Sequence, residues 1–552
     1  MRRFFLSFAP ILACLATAQA AEVSLFHQPR HDPVVDPSVV LAANLLDGDR
    51  VPVWVFFTDK AIVSAEAYEK ALADVADRYS SAAKKRRALR RTLPGLFDHH
   101  DVPLPTAYVA SVAATGAHLR TKNRWLCAVS VDATIAQIEA IAALPYVRFI
   151  KPVARGKRVD PTPARGEGGV AGGFYGFSSE QLLQINIPAV HDAGYTGAGV
   201  IIGILDTGFT RTHEAFNEPG HPLNVLGEWD VINDDSDTGI EPGDPDGQYY
   251  HGTLILGTIG GYKPNVLVGG AYDASFYLAK TEDISSETPI EEDYYAAGLQ
   301  WIEENGGDVA TSSLSYNFWN QEDYDGLTAV STIAVNIATG NGVVCCTAAG
   351  NAGHDDDPAT WSLHAPADAL QVLTCGAVWS NGDIANFSSD GPSADGRVKP
   401  EVLARGVGTW TVEPADDLDY RTASGTSLST PLVASAAALI VQAHPNWTVA
   451  QIRSALFQTA ADYLVNQTFD PLFVRGYGVI DVMATINRSF IGDIDRDGDT
   501  DLDDHSLFVG CMSGPGVPPI AGCESADVDL DGDVDGFDFS LLQTNFTGAW
   551  IE

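Results

Sequence analysis

The stretch from Val200 to Gly208 reads VIIGILDTG, a continuous apolar run that ends in an aspartate. Such a run is typical of a strand that is buried on both faces of a parallel sheet. Similar runs at 343–346 and 372–378 alternate with helical patterns as far as about residue 486. The alternation predicts the α/β fold class, with a parallel sheet that carries Asp206 at the carboxyl end of one strand.

The composition limits the classes of partner. The chain has 552 residues and a formal net charge of −39, so several domains are expected and nucleic acids and anionic membrane surfaces are disfavoured as partners. The charge is uneven. Residues 21–160 carry 19 Lys/Arg against 15 Asp/Glu, whereas residues 161–552 carry 12 against 57. Only seven cysteines are present, too few for a disulfide-dense scaffold.

Residues 1–20 have the pattern of a signal peptide. Two arginines precede an apolar run from Phe4 to Thr17, and the small-residue sequence Ala-Gln-Ala ends at Ala20. The run is too short to span a bilayer, and no later stretch predicts a membrane span. We therefore expect a secreted or extracellular protein, with the periplasm or cell surface as further locations. Arg2-Arg3 also allows a twin-arginine signal, although an ordinary secretory signal is favoured.

The segment before the α/β region predicts a smaller α+β unit. A strand is expected at 51–58, a long helix at 61–92, and a second strand and helix between 126 and 142. Six cations lie within eight residues near the end of the long helix, at Lys84, Lys85, Arg86, Arg87, Arg90 and Arg91. They form either a solvated helix face or a surface that docks against the acidic remainder of the chain.

Four short motifs of the α/β region contain the residue types of one catalytic site. Asp206 ends a strand, His251 opens a helical stretch, and Ser427 lies just before an Ala-rich helix. Serine is a weak nucleophile that needs an adjacent base and a group that orients this base. Asn351, after another apolar strand, supplies an amide that can stabilise an oxyanion. The order Asp, His, Ser is the order found in subtilisin.

These motifs and their surroundings resemble the subtilisin-like serine peptidases (subtilases) over about 177–486. The likeness extends to the sequences at 195–200, 387–392, 396–400 and 476–481. The resemblance implies that Ser427 is the nucleophile, His251 the general acid and base, Asp206 its orienting group and Asn351 the oxyanion donor. It also implies protein or peptide substrates and an inhibitory, self-cleaved propeptide.

The sequence departs from the family pattern at two places. Ser313, Leu314 and Ser315 occupy the substrate-binding strand, where the family usually has glycine last, so a side chain there narrows the primary specificity pocket. An acidic insertion at 233–247 separates Asp206 from His251. It is either a calcium site in the catalytic domain or a solvated loop, and the solvated loop is favoured.

The C-terminal segment predicts a pair of calcium loops. Acidic residues recur at calcium-ligand spacing with a glycine at the sixth position, and the pattern repeats after 34 residues. The predicted Ca²⁺ ligands are Asp493, Asp495, Asp497, Asp499, Asp501, Asp504, Asp527, Asp529, Asp531, Asp533, Asp535 and Asp538. The pair resembles dockerin-type repeats, which implies a cohesin-like partner. A disulfide between Cys511 and Cys523 is expected, whereas Cys345, Cys346 and Cys375 are expected to be buried thiols, with a bridge to Cys375 as the alternative.

The predicted organisation is a signal peptide (1–20), a propeptide (21–158), a linker (159–173), a catalytic domain (174–487) and a dockerin-like module (490–552). The predicted function is that of a secreted serine endopeptidase that acts through an acyl-enzyme and matures by propeptide cleavage. The alternative is a component of an extracellular assembly, whose tail binds a partner and whose proteolysis is secondary.

Overall fold

The computed structural model describes residues 24–45, 49–153, 162–163, 172–284, 292–316 and 320–547. The predicted signal peptide and most of the predicted linker lie outside these residues.

The N-terminal domain is an antiparallel sheet with helices packed against it. Its helices are α1 (Ser38–Leu45), α2 (Ala65–Ala76), α3 (Ser81–Arg90), α4 (Thr106–Ala113) and α5 (Ile135–Ala142), and its strands are β1 (Val51–Phe57), β2 (His118–Asn123), β3 (Ala128–Ala133) and β4 (Val147–Pro152). The strand order is β2-β3-β1-β4. Strand β1 is apolar throughout because both faces are buried. Val53 and Val55 lie in the core of this domain, and Trp54 packs in a cluster with Tyr295 and Leu299 of the central domain.

The prediction of one helix over 61–92 is wrong, since α2 and α3 are separate. Ser80 caps the second helix, because its side-chain oxygen accepts a hydrogen bond from the backbone N–H of Ala83 at 3.0 Å. The hydroxyl of Ser80 also donates to the carbonyl of Asn305 at 2.8 Å. The break therefore turns α3, and the basic residues on it, toward the central domain.

The central domain is built on a parallel sheet. Its strands are β5 (Thr162–Pro163), β6 (Ile201–Asp206), β7 (Asn217–Glu218), β8 (His221–Pro222), β9 (Asn224–Asp230), β10 (Tyr262–Lys263), β11 (Leu267–Val268), β12 (Ser275–Lys280), β13 (Val309–Ser312), β14 (Val344–Ala348), β15 (Leu373–Val378), β16 (Val402–Arg405), β17 (Thr409–Val412) and β18 (Tyr420–Ser424). Its helices are α6 (Ser179–Gln184), α7 (Ile187–Asp192), α8 (Tyr250–Gly260), α9 (Glu292–Asn305), α10 (Val330–Gly340), α11 (Thr426–Ala443), α12 (Val449–Thr459), α13 (Ala461–Asn466) and α14 (Val482–Ile486).

Seven of these strands form one sheet in the order β16-β15-β14-β13-β6-β12-β9, and all neighbours run parallel. The predicted α/β class with a parallel-sheet catalytic domain is confirmed. Helices cover both faces, and α9 lies so close to β6 that a side chain at Gly203 would collide with Ile302. The carboxyl ends of β6, β13 and β14 therefore meet at one edge of the sheet, as expected for a doubly covered parallel sheet.

The C-terminal module contains α15 (Leu502–Cys511) and α16 (Gly536–Thr544), each preceded by an acidic loop. The predicted disulfide joins Cys511 and Cys523, while Cys345, Cys346 and Cys375 are buried free thiols. Within the described residues, only α11 is long and apolar enough to cross a membrane, and nearly all of it is buried in the central domain.

Candidate active site

Asp206 and His251 form a buried hydrogen-bonded pair. Asp206 is the last residue of β6, and His251 lies in the first turn of α8, which packs beside that strand. Oδ1 of Asp206 lies 2.7 Å from Nδ1 of His251, and both side chains are almost fully buried. Gly252 permits this approach, because a side chain there would collide with the carbonyl of Gly208. The pair fixes the imidazole so that Nε2 is the nitrogen left for proton transfer.

Ser427 lies in the first turn of α11, where a backbone N–H has no partner within the helix. Its Oγ is 3.4 Å from the carbonyl oxygen of Ser313. Leu428 packs with Leu254 in one small apolar cluster, and this contact brings the first turns of α11 and α8 together. His251 Nε2 has no hydrogen-bond partner among the described residues. The base is therefore buried beside the nucleophile's helix, and a catalytic hydrogen bond often tightens only when substrate binds.

A proline sets the environment of the nucleophile. Pro431 lies inside α11 and lacks the N–H that would otherwise bond to the carbonyl of Ser427 four residues earlier. That carbonyl instead accepts a hydrogen bond from the hydroxyl of Ser313 at 3.0 Å. The start of α11 is thus tied to the segment that follows β13.

Asn351 follows β14 and is held by the residue next to the nucleophile. Its Oδ1 accepts hydrogen bonds from the backbone N–H of Thr426 at 2.9 Å and from the Thr426 hydroxyl at 3.0 Å. With the carbonyl side of the amide occupied, Nδ2 is the group available to a ligand. The structure thus brings all four predicted catalytic residues to the carboxyl edge of the sheet. The sequence alone does not indicate that Thr426 holds the side chain of Asn351.

Ser313, Leu314 and Ser315 extend from the end of β13 beside the serine. Ser313 contacts Ser427, and Leu314 is buried in the core under α9 and α10. The hydroxyl of Ser315 lies 3.3 Å from Nδ1 of His364, a residue that the sequence analysis did not single out. His364 is 49 positions away from Ser315, and only the fold brings the two residues together.

The acidic insertion surrounds an internal ammonium group. Nζ of Lys280 lies 2.7 Å from Asp230 and 2.8 Å from Asp244, and Glu241 is 3.7 Å away. Lys280 ends β12, in register with Asp206 on β6. One ammonium group balances only one of these three carboxylates, and Asp230 and Glu241 also lie with Asp235 in a group whose oxygens are within 4.8 Å of one another. Residues 233–237 of the insertion are exposed, and the choice between a solvated loop and a calcium site in the catalytic domain stays a prediction.

The two acidic loops gather carboxylates into clusters of metal-ligand size. Ligand oxygens of Asp493, Asp495 and Asp504 lie within 4.8 Å of one another, and those of Asp527, Asp529 and Asp538 do the same in the second loop. Burial raises the pKa of Asp493 to about 7, and the neighbouring carboxylates add to the effect. Each loop turns at a glycine with positive φ, +105° at residue 498 and +96° at residue 532. The remaining predicted ligands lie in these same loops, at Asp497, Asp499, Asp501, Asp531, Asp533 and Asp535.

The first acidic loop, residues 493–504, contacts the central domain. Gln451 Nε2 donates to Asp493 Oδ2 at 2.9 Å, and the Ser454 hydroxyl donates to the carbonyl of Gly498 at 2.6 Å. Arg496 Nη2 donates to the carbonyl of Leu89, in α3 of the N-terminal domain, at 2.9 Å. The second acidic loop, residues 527–538, leaves Leu530 largely exposed at the position equivalent to Arg496. The two repeats thus have different surroundings, which their matching sequences do not predict.

The N-terminal domain docks on α9 through its arginines. We call Arg86, Arg87, Arg90 and Arg91 the arginine cluster. Arg87 Nε donates to Glu303 Oε1 at 2.7 Å, and Arg86 also pairs with this carboxylate. Arg90 lies 2.5 Å from Asp308. The docking interpretation of the basic residues is confirmed for the arginines, while Lys85 remains exposed.

A second contact flanks the arginine cluster. Arg120 Nε donates to Asp293 Oδ2 at 2.8 Å, and the hydroxyl of Ser130 donates to the same oxygen at 2.5 Å. Asp293 and Glu303 are both fully buried on α9. Among the described residues, the arginines that pair with these two carboxylates of α9 come from the N-terminal domain.

Comparisons with known proteins agree with this architecture. The profile of the Subtilase family matches residues 197–479, and the Peptidase S8 propeptide domain, Bacteroidota, matches residues 52–165. The chain is 34% identical to Subtilisin E of Bacillus subtilis (strain 168) over 304 residues, which are 55% of this chain and 70% of that protein. It is 33% identical to Subtilisin Savinase of Lederbergia lenta over 280 residues, which are 50% of this chain and 90% of that protein.

One solved structure shares the fold across most of the chain. Fervidolysin from Fervidobacterium pennivorans, a keratinolytic enzyme related to subtilisin, superposes with a TM-score of 0.54 and 20% identity. The match covers 80% of this chain and 62% of that one. Fold and family together define a subtilisin-like serine protease with an N-terminal propeptide. The chain belongs to the Subtilase family.

Proposed function

We propose that this protein is a secreted serine endopeptidase that uses Asp206, His251, Ser427 and Asn351 and cleaves its own propeptide. The observation that carries the proposal is the buried 2.7 Å contact between Asp206 and His251 beside the helix of Ser427. A carboxylate that holds one imidazole nitrogen leaves the other as a base for the serine hydroxyl.

The chemistry follows from these positions. Ser427 Oγ attacks the substrate carbonyl carbon while its proton passes to Nε2 of His251. The carbonyl oxygen then carries the negative charge, and Nδ2 of Asn351 and the backbone N–H of Ser427 donate hydrogen bonds to it. His251 returns the proton to the leaving amine, which departs and leaves an acyl-enzyme. Water repeats the sequence, so that the acid is released and Ser427 regains its proton.

Self-maturation is supported by the path of the chain. Strand β5 pairs antiparallel with β18, with Thr162 opposite Ser424 and Pro163 opposite Ala423. Ser424 is only three positions from Ser427. The C-terminal end of the segment that matches the propeptide family therefore passes close to the nucleophile.

The C-terminal module is proposed to bind calcium, and the protein is proposed to be exported. The acidic loops offer oxygen ligands at the spacing that Ca²⁺ prefers, and in each loop three carboxylates have oxygens within 4.8 Å of one another. These carboxylates repel one another, and bound calcium would offset the repulsion. The disulfide in the C-terminal module supports an oxidising compartment and hence export. A cohesin-like partner, and with it the alternative role in an extracellular assembly, stays a prediction.

The deciding experiment compares wild type with Ser427→Ala, following casein hydrolysis and precursor size. We expect the variant to be inactive and to remain as the full precursor. Ser435→Ala is the matched control, since Ser435 lies two turns along the same helix and its hydroxyl donates to the carbonyl of Pro431 at 2.8 Å. A Ser427→Ala chain that is processed in the absence of any other protease would contradict self-maturation.

A further inference from the structure

The N-terminal domain contains a cavity of about 100 Å³ that takes no part in the proposed active site. A single water molecule needs about 10–15 Å³ of such a volume, so the cavity has room for a small organic molecule. Its walls include residues after β1, residues before α4, the connection between β2 and β3, and part of β4. Leu25, Ile62 and Leu126 give the cavity an apolar wall, whereas Lys60 and Arg148 bring positive charge to it.

Neither of these two cations is held by a carboxylate among the described residues. Nζ of Lys60 donates to the backbone carbonyls of His99 and His100, at 2.5 and 3.0 Å. An ammonium group has three protons, so one proton remains for a ligand. Nε of Arg148 is buried and has no hydrogen-bond partner in the described part of the chain. The cavity is therefore lined by two cations whose donors the protein does not fully use.

The acidic and thiol groups of the lining do not pair with these cations. The carboxylate of Asp59 accepts hydrogen bonds from the Ala61 N–H at 2.8 Å and from the Thr58 hydroxyl at 3.0 Å, and His27 Nδ1 lies 2.8 Å from it. The thiol of Cys127 donates to the carbonyl of Asp59 at 3.4 Å. Burial raises the pKa of this thiol to about 11, so it carries no charge near pH 7. The positive charge of the cavity is therefore left for a ligand to balance.

A buried indole of the same lining also lacks an acceptor. Trp125 is 3% exposed, and its Nε1 has no hydrogen-bond partner within the described ranges. Buried polar groups of folded proteins are normally paired. Burial also lowers the pKa of Lys60 to about 7, as expected for an ammonium group that no adjacent negative charge stabilises. Both observations indicate that the lining is short of an acceptor that carries negative charge.

We propose that this cavity binds a small carboxylate with a short apolar chain. The carboxylate oxygens accept hydrogen bonds from Lys60 and from the planar guanidinium of Arg148, which suits a planar anion. The apolar chain lies against Leu25, Ile62 and Leu126. Inorganic phosphate offers no apolar part to this wall. The site belongs to the propeptide and shares no residue with the proposed active site, so it does not depend on the proposed function.

The test is a calorimetric titration of the full-length Ser427→Ala chain, in which the propeptide stays attached, with butyrate as the probe. At about pH 6 the Lys60 ammonium is mostly protonated. We expect one site with a Kd of about 1 mM or tighter, within the range that small ligands reach when they fill a pocket. Arg148→Met should weaken binding about ten-fold or more, since a hydrogen bond to a charged group is worth about that much. Lys60→Met should have a similar effect.

Two controls separate specific binding from general attraction to a cationic surface. Lys122→Met removes an exposed cation of β2 that does not line the cavity, and its Kd should equal that of the Ser427→Ala chain. Butyramide has the shape of butyrate without its charge and should bind at least ten-fold more weakly, for the same reason as Arg148→Met. Inorganic phosphate should also bind more weakly than butyrate.

The comparison of ligands needs no further variant, so it decides the outcome even where a substitution unfolds the domain. Circular dichroism identifies such a substitution. The proposal would be overturned if butyrate did not bind, if butyramide bound equally well, or if phosphate bound more tightly. An unchanged Kd in a folded Arg148→Met chain would also overturn it.

Discussion

Arg87 of the propeptide and Glu303 of the catalytic domain form an ion pair whose side chains are both 0% exposed. Arg87 Nε is 2.7 Å from Glu303 Oε1, and Nη2 is 2.9 Å from Oε2, so the carboxylate is held by two parallel hydrogen bonds. Arg87 is also paired with Asp101 within the propeptide. Removal of the propeptide would take away Arg86 and Arg87, the arginines that pair with Glu303 among the described residues. The interface therefore couples a buried charge to the presence of the propeptide.

Glu303→Gln should weaken inhibition of the mature enzyme by separately prepared propeptide by about a hundred-fold to a few thousand-fold. Removal of one partner from a buried pair leaves an uncompensated charge and costs about 3–5 kcal/mol. The measurement is the inhibition constant on a chromogenic peptide. Glu304→Gln is the matched control, because Glu304 pairs with Arg124 in a partly exposed position. Such pairs contribute about 1 kcal/mol or less, so its inhibition constant should change no more than about five-fold. Equal effects of the two substitutions would mean that the buried pair contributes no more to propeptide binding than the partly exposed pair.

Added salt should slow the association of propeptide and enzyme more than it speeds their dissociation. The opposite charges of the two domains attract over distances that salt screens, whereas the arginine cluster is buried once docked and is screened little. Stopped-flow association rates should fall clearly between about 0.05 and 0.5 M salt, as the Debye length shrinks. Replacing the six cations of residues 84–91 by glutamine should flatten this dependence. An association rate that salt leaves unchanged would contradict electrostatic steering.

Asn351→Ala should lower kcat about a hundred- to a thousand-fold and change KM little. The amide donates most strongly when negative charge develops on the substrate oxygen, and this range is the one measured for the corresponding donor of subtilisin. Steady-state kinetics on one peptide substrate provides the measurement. Asn381→Ala is the control, since Asn381 is exposed and its Nδ2 donates to Asp383 at 2.6 Å. An unchanged kcat for Asn351→Ala would assign the oxyanion to another donor.

Local patterns predicted the sheet and the site because the carboxyl ends of neighbouring parallel strands meet at one edge. Asp206 and Asn351 each follow an apolar run, and so their placement needs no knowledge of distant contacts. Contacts between domains cannot be predicted from local patterns in this way. Arg87 and Glu303 are separated by 216 positions, and neither sequence neighbourhood identifies the other. The sequence could indicate opposite charges, but only the docked fold selects the partners.

The break in the predicted 61–92 helix also depends on a contact between domains. Ser80 has the residue type of a helix N-cap, yet the helical periodicity on both sides conceals it. What fixes the break is tertiary, since the Ser80 hydroxyl also bonds to Asn305 at the end of α9. The capping residue favours two helices, whereas the periodicity favours one. The hydrogen bond to the neighbouring domain favours two helices.

The two acidic loops have unequal surroundings, and calcium should therefore act on the catalytic domain mainly through the first loop. In the mature full-length enzyme, calcium should raise the Tm of the catalytic domain, because a ligand that binds only the folded state stabilises it by mass action. The first loop hydrogen-bonds to Gln451 and Ser454 at α12, whereas the second has no such contact with the catalytic domain among the described residues. Asp497→Ala should therefore abolish most of the calcium-dependent rise, measured by calorimetry with calcium and with a chelator.

Asp531→Ala is the matched control for that prediction. Asp497 and Asp531 occupy the same loop position, both are exposed, and each accepts a backbone hydrogen bond at 3.2 Å from the residue two positions later. Because their local roles agree, a difference between the variants reports the surroundings of the loops rather than the lost carboxylate. Asp531→Ala should keep the rise in Tm of the catalytic domain. Equal loss in both variants would mean that the module binds calcium as one unit, and a wild-type Tm indifferent to calcium would contradict the calcium assignment itself.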